Sequence, residues 1–231
     1  MVYRFRLIDR LLPAACLLCG AASPGPLDIC TECRGELPRT SSPCPRCAMP
    51  LPAGAPGPCG ACQSRPPPFT RCHAAFRYEW PVRELLLRFK GNGELATGRL
   101  LSELLGMYLS EAVVALEGFV LTPVPLTRER LRERGFNQAE RVARILSRGL
   151  RLPLAPGLLD RRAGGVAQKA LGAAERRRIS AGEFRARPCP GERVLLVDDV
   201  LTTGATASAI TEALLAAGAA EVQVCCLARA L

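Results

Sequence analysis

At 231 residues the chain is long enough for a core of ordinary size with a small second unit. Its 48% apolar and 23% charged residues suit a globular protein and exclude a disordered or fibrous one. The net charge of +10 rests on 31 basic residues, all arginine except Lys90 and Lys169, and favours anionic partners: phosphorylated metabolites, pyrophosphate or nucleic acid. A compositional bias in which Ala, Arg, Gly, Pro and Leu are abundant together is an equal explanation of that charge.

The N-terminus, MVYRFRLIDRLLPAACLLCG, has its apolar stretches broken by Arg4, Arg6, Asp9 and Arg10, which makes it a poor signal peptide. No uninterrupted apolar run approaches the roughly 20 residues of a membrane span, so a cytoplasmic protein is expected. Eight of the twelve cysteines then form four C-x-x-C pairs: Cys16/Cys19, Cys30/Cys33, Cys44/Cys47 and Cys59/Cys62. The intervals between successive pairs are ten, ten and eleven residues. Each pair turns two thiolates toward one point, and two pairs complete a tetrahedral zinc site. Prolines and glycines fill the connections, so metal must supply much of the folding energy of this region. A disulfide framework suits a secreted chain and finds no support at this N-terminus. Sequential pairing would make a double zinc ribbon, while interleaved pairing also satisfies the spacing. Either way about two zincs are expected, and four thiolates around each leave no open coordination position, which makes their role structural.

After RPPPF the composition changes, and the expected division is 1–66 for the ribbon and 67–231 for a second unit. Residues 72–79 read as a strand holding the single histidine, His73, which is expected to be structural. WPVRELLLRFKGNG reads as a short helix ended by Gly91, followed by a longer helix with leucines at spacings of three, four and seven. FVLTPVP (119–125) is a strand stopped by prolines. An arginine-rich loop leads into a helix over about 137–149. LPLAPGLLDR holds a strand, and 161–182 is polar and basic. RVLLVDDV is a continuous apolar strand, followed by a helix at about 205–217 and a last strand, EVQVCCLAR, whose Cys225 and Cys226 are expected in the core. Alternating strands and helices with continuous apolar strands predict an α/β fold, a parallel sheet covered on both faces. Ligands of such sheets bind at the carboxyl ends of the strands.

At one such end stands VLLVDDVLTTGATASA (194–209). Thr202, Thr203, Gly204, Ala205 and Thr206 begin a helix whose free N–H groups and hydroxyls can converge on an anion. Without the lysine of a nucleoside-triphosphate loop, the turn suits a terminal monophosphate. Asp198 and Asp199 are acceptors suited to hydroxyl groups. Acceptors for a diol beside donors for a phosphate describe a ribose 5-phosphate. The alternative, acids that only cap the next helix, leaves two adjacent carboxylates uncompensated.

VLLVDDVLTTGAT resembles the phosphoribosyl pyrophosphate motif of type I phosphoribosyltransferases. Together with CLLCG and the cysteine pairs, PVPLTRERLRERGFNQAE (123–140) and QKALGAAERRRISAGEF (168–184), almost the whole chain resembles the ComF family of bacterial competence and phosphoribosyltransferase-like proteins. That resemblance implies a type I phosphoribosyltransferase-like sheet flanked by helices, with a small N-terminal zinc ribbon. It implies that Asp198 and Asp199 hold the ribose hydroxyls and 202–206 the 5-phosphate. The turn from Pro123 and Val124 to Leu126 is then the pyrophosphate loop, with Arg134, Gly135, Phe136, Asn137 and Gln138 matching the signature beside it. Residues 160–180 match a closing lid, with Arg161, Gln168 and Arg176 at matching positions. Two lid positions depart from the pattern: Gly165 replaces a threonine and Ile179 an asparagine, and both bear on closure or acceptor choice. Lys90, in RFKGNG, is a further match, with a solvated helix-end lysine as the equal alternative.

The implied reaction displaces pyrophosphate from C1 of the ribose by an unidentified acceptor, with Mg²⁺ on pyrophosphate and ribose oxygens and arginines neutralising the leaving group. No general base is evident. The alternative of another class is a nucleic-acid-binding accessory of DNA uptake that keeps the pocket as a sensor, with single-stranded DNA or the competence machinery as partner. Aromatics are only 5% of the residues, which counts against a stacking platform for single strands.

Overall fold

The computed structural model describes residues 15–23, 25–91, 93–111, 116–161 and 182–231. Gly165, Gln168, Arg176 and Ile179 of the expected lid, and residues 1–14, lie outside them.

Two cysteine ribbons come first, and they are built alike. Each opens with a C-x-x-C turn inside a minimal antiparallel bridge, Ala15 with Ala22 and Pro43 with Pro50. In each, the amide of the first cysteine donates across the turn, Cys16 to Ala21 O and Cys44 to Met49 O, both at 2.7 Å. The turn needs one left-handed residue, supplied by Gly20 (φ 76°) in the first ribbon and by Ala48 (φ 57°) in the second, where a Cβ is strained. The second pair of each ribbon starts a one-turn helix: α1 (Thr31–Gly35) after Cys30 and α2 (Gly60–Ser64) after Cys59.

The rest of the chain runs β1 (Arg71–Arg77), α3 (Val82–Gly91), α4 (Leu95–Glu111), β2 (Phe119–Pro123), α5 (Arg128–Arg134) and α6 (Gln138–Leu150). It continues with β3 (Leu159–Arg161), β4 (Phe184–Ala186), β5 (Arg193–Leu201), α7 (Ala205–Ala216) and β6 (Glu221–Arg229). Four strands form a parallel sheet in the order β1-β6-β5-β2. Leu154 adds a single parallel bridge outside β2, and β3 pairs antiparallel with β4.

The continuous apolar runs are explained by burial on both faces. Leu195 and Val197 of β5 join Cys225 and Leu227 of β6 in a core covered by Leu85, Leu105 and Val142 from α3, α4 and α6. Val194 and Leu196 join Val222, Val224 and Cys226 on the opposite face, under Ile210 and Leu214 of α7 and Phe184 of the hairpin. The ribbons straddle the β1 edge. Cys16, Ile29 and Leu37 enter the first core, Ala48 enters the second, and between them Pro38 O accepts from the Arg77 amide of β1 at 2.7 Å.

One segment expected as a loop is a helix. α5 is capped by Thr127, whose hydroxyl accepts from the Arg130 amide at 3.2 Å, and it stops at left-handed Gly135. None of its residues is buried, so it has no apolar periodicity to betray it. The segment LPLAPGLLDR supplies two pieces, the Leu154 bridge and β3. His73 lies buried in β1 with Nε2 at 2.9 Å from Gln223 Oε1, and burial pushes its pKa down. No helix among the described residues is long and apolar enough to cross a membrane.

Candidate functional site

The cysteines gather as two groups of four, Cys16, Cys19, Cys30 and Cys33, and Cys44, Cys47, Cys59 and Cys62. Pairing is therefore sequential. Within each group every sulfur lies within 4.8 Å of the others. Cys19 and Cys30 sulfurs are 3.8 Å apart and those of Cys47 and Cys59 3.6 Å. Tetrahedral zinc with sulfurs at about 2.3 Å places neighbouring sulfurs roughly 3.8 Å from one another, so both groups fit the ion. Electrostatics agree. Burial pushes the Cys16 thiol up, but the amides of Cys19, Cys30 and Leu18 outweigh it and hold it at about 6. Cys44 is held at about 7 in the same way, burial being overcome by the amides of Cys47, Cys59 and Arg46. Cys33 is pushed up by hydrogen bonding with Cys30 and Cys19, and Cys62 by burial and then by Cys47 and Cys59. Such a cluster holds one thiolate readily and resists the rest unless a cation shares them.

At the C-terminal end of β5, Asp198 and Asp199 line a cavity of about 320 Å³. Successive strand side chains alternate, so Asp199 follows Leu195 and Val197 toward α3, where Lys90 Nζ donates to its Oδ2 at 3.0 Å. Asp198 Oδ1 accepts the Asp199 amide at 2.8 Å. Burial, and next the Asp199 charge, push Asp198 up to about 7, against the Asp199 amide and Lys90. Lys90, Arg130, Arg134 and Arg161 set four cations against the two carboxylates, a balance that favours a multiply charged anion.

The far wall is the start of α6. Asn137 caps it, its Oδ1 accepting from the Ala139 amide at 3.0 Å. The same side chain donates through Nδ2 to Val124 O at 2.9 Å, which fastens the turn after β2 to the positive end of the helix. Arg134 Nη1 donates to Gln138 Oε1 at 3.2 Å. Gln138 Nε2 is buried and has no partner among the described residues, and the residue lines the cavity. An orphaned buried donor in a cavity wall is a position for a ligand oxygen. Arg161, the last residue of β3, is held by Glu183 (Nε to Oε1, 2.8 Å) and lies over the Phe184 ring at 5.2 Å.

The loop 202–206 divides between two spaces. Gly204, left-handed at φ 78°, caps α7, and the helix begins at Ala205, as expected for a helix over about 205–217. Thr206 lines the cavity with the aspartates, whereas Thr203, Gly204 and Ala205 line a larger cleft of about 730 Å³ facing the second ribbon. Pro123 ends β2 at the cavity's edge and Val124 lines it. Sequence alone gives three of the residues found here little or no part. Lys90 carries only a sequence match, Arg130 falls in a segment expected as a loop, and Arg229, which ends β6, reaches Cys47 O and Leu201 O. Nothing in EVQVCCLAR sets the last apart in a chain so rich in arginine.

Residues 7–63 match the double zinc ribbon domain and residues 134–231 the phosphoribosyl transferase domain. The DNA utilization protein YhgH of Escherichia coli (strain K12) is 34% identical, covering 95% of this chain and 99% of that protein. Competence protein F of Haemophilus influenzae is 33% identical over 74% of this chain and 78% of its own, and competence protein ComFC of Bacillus subtilis 30% identical over 83% and 80%. The chain belongs to the ComF family. In this ComF protein the transferase match begins at Arg134, so Lys90 and the turn after β2 lie ahead of it.

Proposed function

We propose that the cavity binds phosphoribosyl pyrophosphate with Mg²⁺ and that the protein transfers the phosphoribosyl group to an acceptor, in the service of DNA uptake or use. The observation that carries this reading is the convergence of two carboxylates with four cations, the start of α6 and the orphaned Gln138 Nε2. Asp198 and Asp199 accept from the ribose hydroxyls. The loop 202–206 holds the 5-phosphate, with Thr206 its member that lines this cavity. The turn from Pro123 to Leu126, with Asn137, Gln138, Arg130 and Arg134, holds the pyrophosphate. Oxygen donors of this kind suit Mg²⁺, which when bound adds charge neutralisation to the pyrophosphate and ribose oxygens. During transfer the bond from C1 to the pyrophosphate oxygen breaks with its electron pair on oxygen, and the acceptor closes a new bond to C1. Arg134 and Arg161 face the growing negative charge. In this reading 1–66 is the zinc-bearing unit and 67–231 the transferase unit, and the work is done in the cytoplasm.

The test is a comparison of ligands. With Mg²⁺ present, calorimetry should find phosphoribosyl pyrophosphate bound more tightly than ribose 5-phosphate or inorganic pyrophosphate, because it spans both subsites. Affinity no better than that of pyrophosphate alone would defeat the reading. An acceptor screen for pyrophosphate release then separates an enzyme from a sensor.

A second reading is favoured by α5, whose Arg128, Arg130 and Arg132 are exposed beside the cavity, and by relatives named for competence and DNA utilization. Here the protein docks single-stranded nucleic acid along α5 and the pocket acts as a sensor. Affinity for an oligonucleotide should then fall steeply with salt, and a flat response rejects it.

A further inference from the structure

Arg229 is a buried cation whose partners are carbonyl oxygens. It is 6% exposed at the end of β6, paired in register with Leu201 of β5. Nε donates to Cys47 O at 2.9 Å. Nη1 donates to Leu201 O at 3.0 Å and contacts the carbonyls of Thr202 and Ala230. One edge of the guanidinium therefore grips a residue of the second cysteine cluster, and another grips the peptide groups from which the loop 202–206 departs. A planar fork can address two such edges at once, and each bond is strengthened by the charge. The cleft of about 730 Å³ opens between this ribbon and the start of α7, and Arg229, in its wall, bonds to both sides.

The first cluster is fastened by a similar clamp with a different destination. Arg88 Nη1 donates to Leu17 O at 2.8 Å, but the rest of that guanidinium is paired with Glu94 at 2.7 Å, at the turn between α3 and α4. That clamp does not touch the loop.

We infer that Arg229 is a positioning residue that couples the second cysteine cluster to the loop 202–206, so that metal in that cluster and phosphate on that loop stabilise each other. A metal that fixes the four sulfurs fixes the Cys47 carbonyl, which holds Arg229, which holds the carbonyls of Leu201 and Thr202. If the cluster loosens, one edge of the fork is lost and the loop must be ordered at the moment of binding, at an entropic cost. Linkage makes the effect reciprocal: a ligand on the loop must raise the affinity of that cluster for its metal. The inference rests on the reading that 202–206 hold the 5-phosphate.

The experiment uses the intact two-zinc protein and the Arg229→Lys variant, whose single ammonium cannot span both edges. Zinc transfer to a chromogenic chelator is followed with and without saturating phosphoribosyl pyrophosphate and Mg²⁺. The result expected is that, at equilibrium, the ligand raises the chelator concentration needed to remove one of the two zincs by about fivefold or more, and leaves the other unchanged. A Cys19→Ser variant, weakened in the first cluster, should keep that protection, and Arg229→Lys should lose it. Hydrogen exchange without ligand provides the second readout: peptides over 200–208 should exchange about tenfold faster in Arg229→Lys, the scale of a lost charge-assisted bond. Protection of both zincs alike or of neither by a ligand that does bind, or unchanged exchange in the variant, would overturn the coupling. If calorimetry finds no binding at all, the pocket reading fails, and the exchange comparison still decides whether Arg229 orders the loop.

Discussion

Strand β5 and the second ribbon are tied together through Arg229, yet different forces hold each of them. Val194, Leu195, Leu196 and Val197 are fully buried, and the strand lies between helices on one face and a helix and hairpin on the other. From Cys44 to Cys62 the ribbon buries no apolar side chain beyond its cysteines except Ala48. The sheet is held by apolar area removed from water, and the ribbon by sulfurs that need a cation. A perturbation aimed at one should therefore leave the other standing, and that separation can be broken or sharpened by experiment.

The largest effect expected is removal of metal. Zinc in small cysteine sites contributes on the order of 10 kcal/mol at neutral pH. Chelation should strip about two zincs per chain and abolish exchange protection over 15–66, while peptides of 193–201 stay protected. A folded, metal-free ribbon would contradict the account. Leu195→Ala probes the other side and should cost about 2–5 kcal/mol in urea melts, with zinc content unchanged.

Asp198 gives a smaller and pH-dependent effect. Its folded pKa of about 7 exceeds its ordinary 3.8, so between those values the folded chain holds a proton that the unfolded chain has released. That contribution is most favourable below the ordinary value and is lost as pH rises toward 7, a slope on the order of 1 kcal/mol per pH unit. Asp198→Asn should remove the slope, so the stability difference between variant and wild type should widen from pH 5.5 to 7.5 in favour of the variant. A constant difference would mean that Asp198 is ionised throughout. The smallest effect is expected at Asn137→Ala, about 1 kcal/mol for the lost cap of α6, together with weaker pyrophosphate binding as Val124 O loses its donor.

The contrast between sheet and ribbon also explains what could be read in advance. Continuous burial writes itself into VLLV, and a tetrahedral sulfur site writes itself into C-x-x-C spacing, so the parallel sheet and both clusters were legible. The pairing of the clusters was not, because equal intervals between pairs satisfy sequential and interleaved sites alike. The split of the ribbons across both faces of the sheet was equally hidden, since it depends on Pro38 meeting Arg77 at the β1 edge. α5 was missed because it buries nothing. The Lys90–Asp199 pair joins residues more than a hundred positions apart, and a chain rich in arginine gives no reason to single out Arg229.

The central claim is that Asp198 and Asp199 stand in a phosphoribosyl pyrophosphate site. Its most direct measurement is a calorimetric titration of the zinc-loaded protein with phosphoribosyl pyrophosphate and Mg²⁺, repeated on the Asp198→Asn/Asp199→Asn double variant. The account predicts one ligand per chain in the wild type and, with two charged acceptors lost, binding weakened about a hundredfold or more in the variant. Equal binding by the two proteins, or none by the wild type, would contradict it.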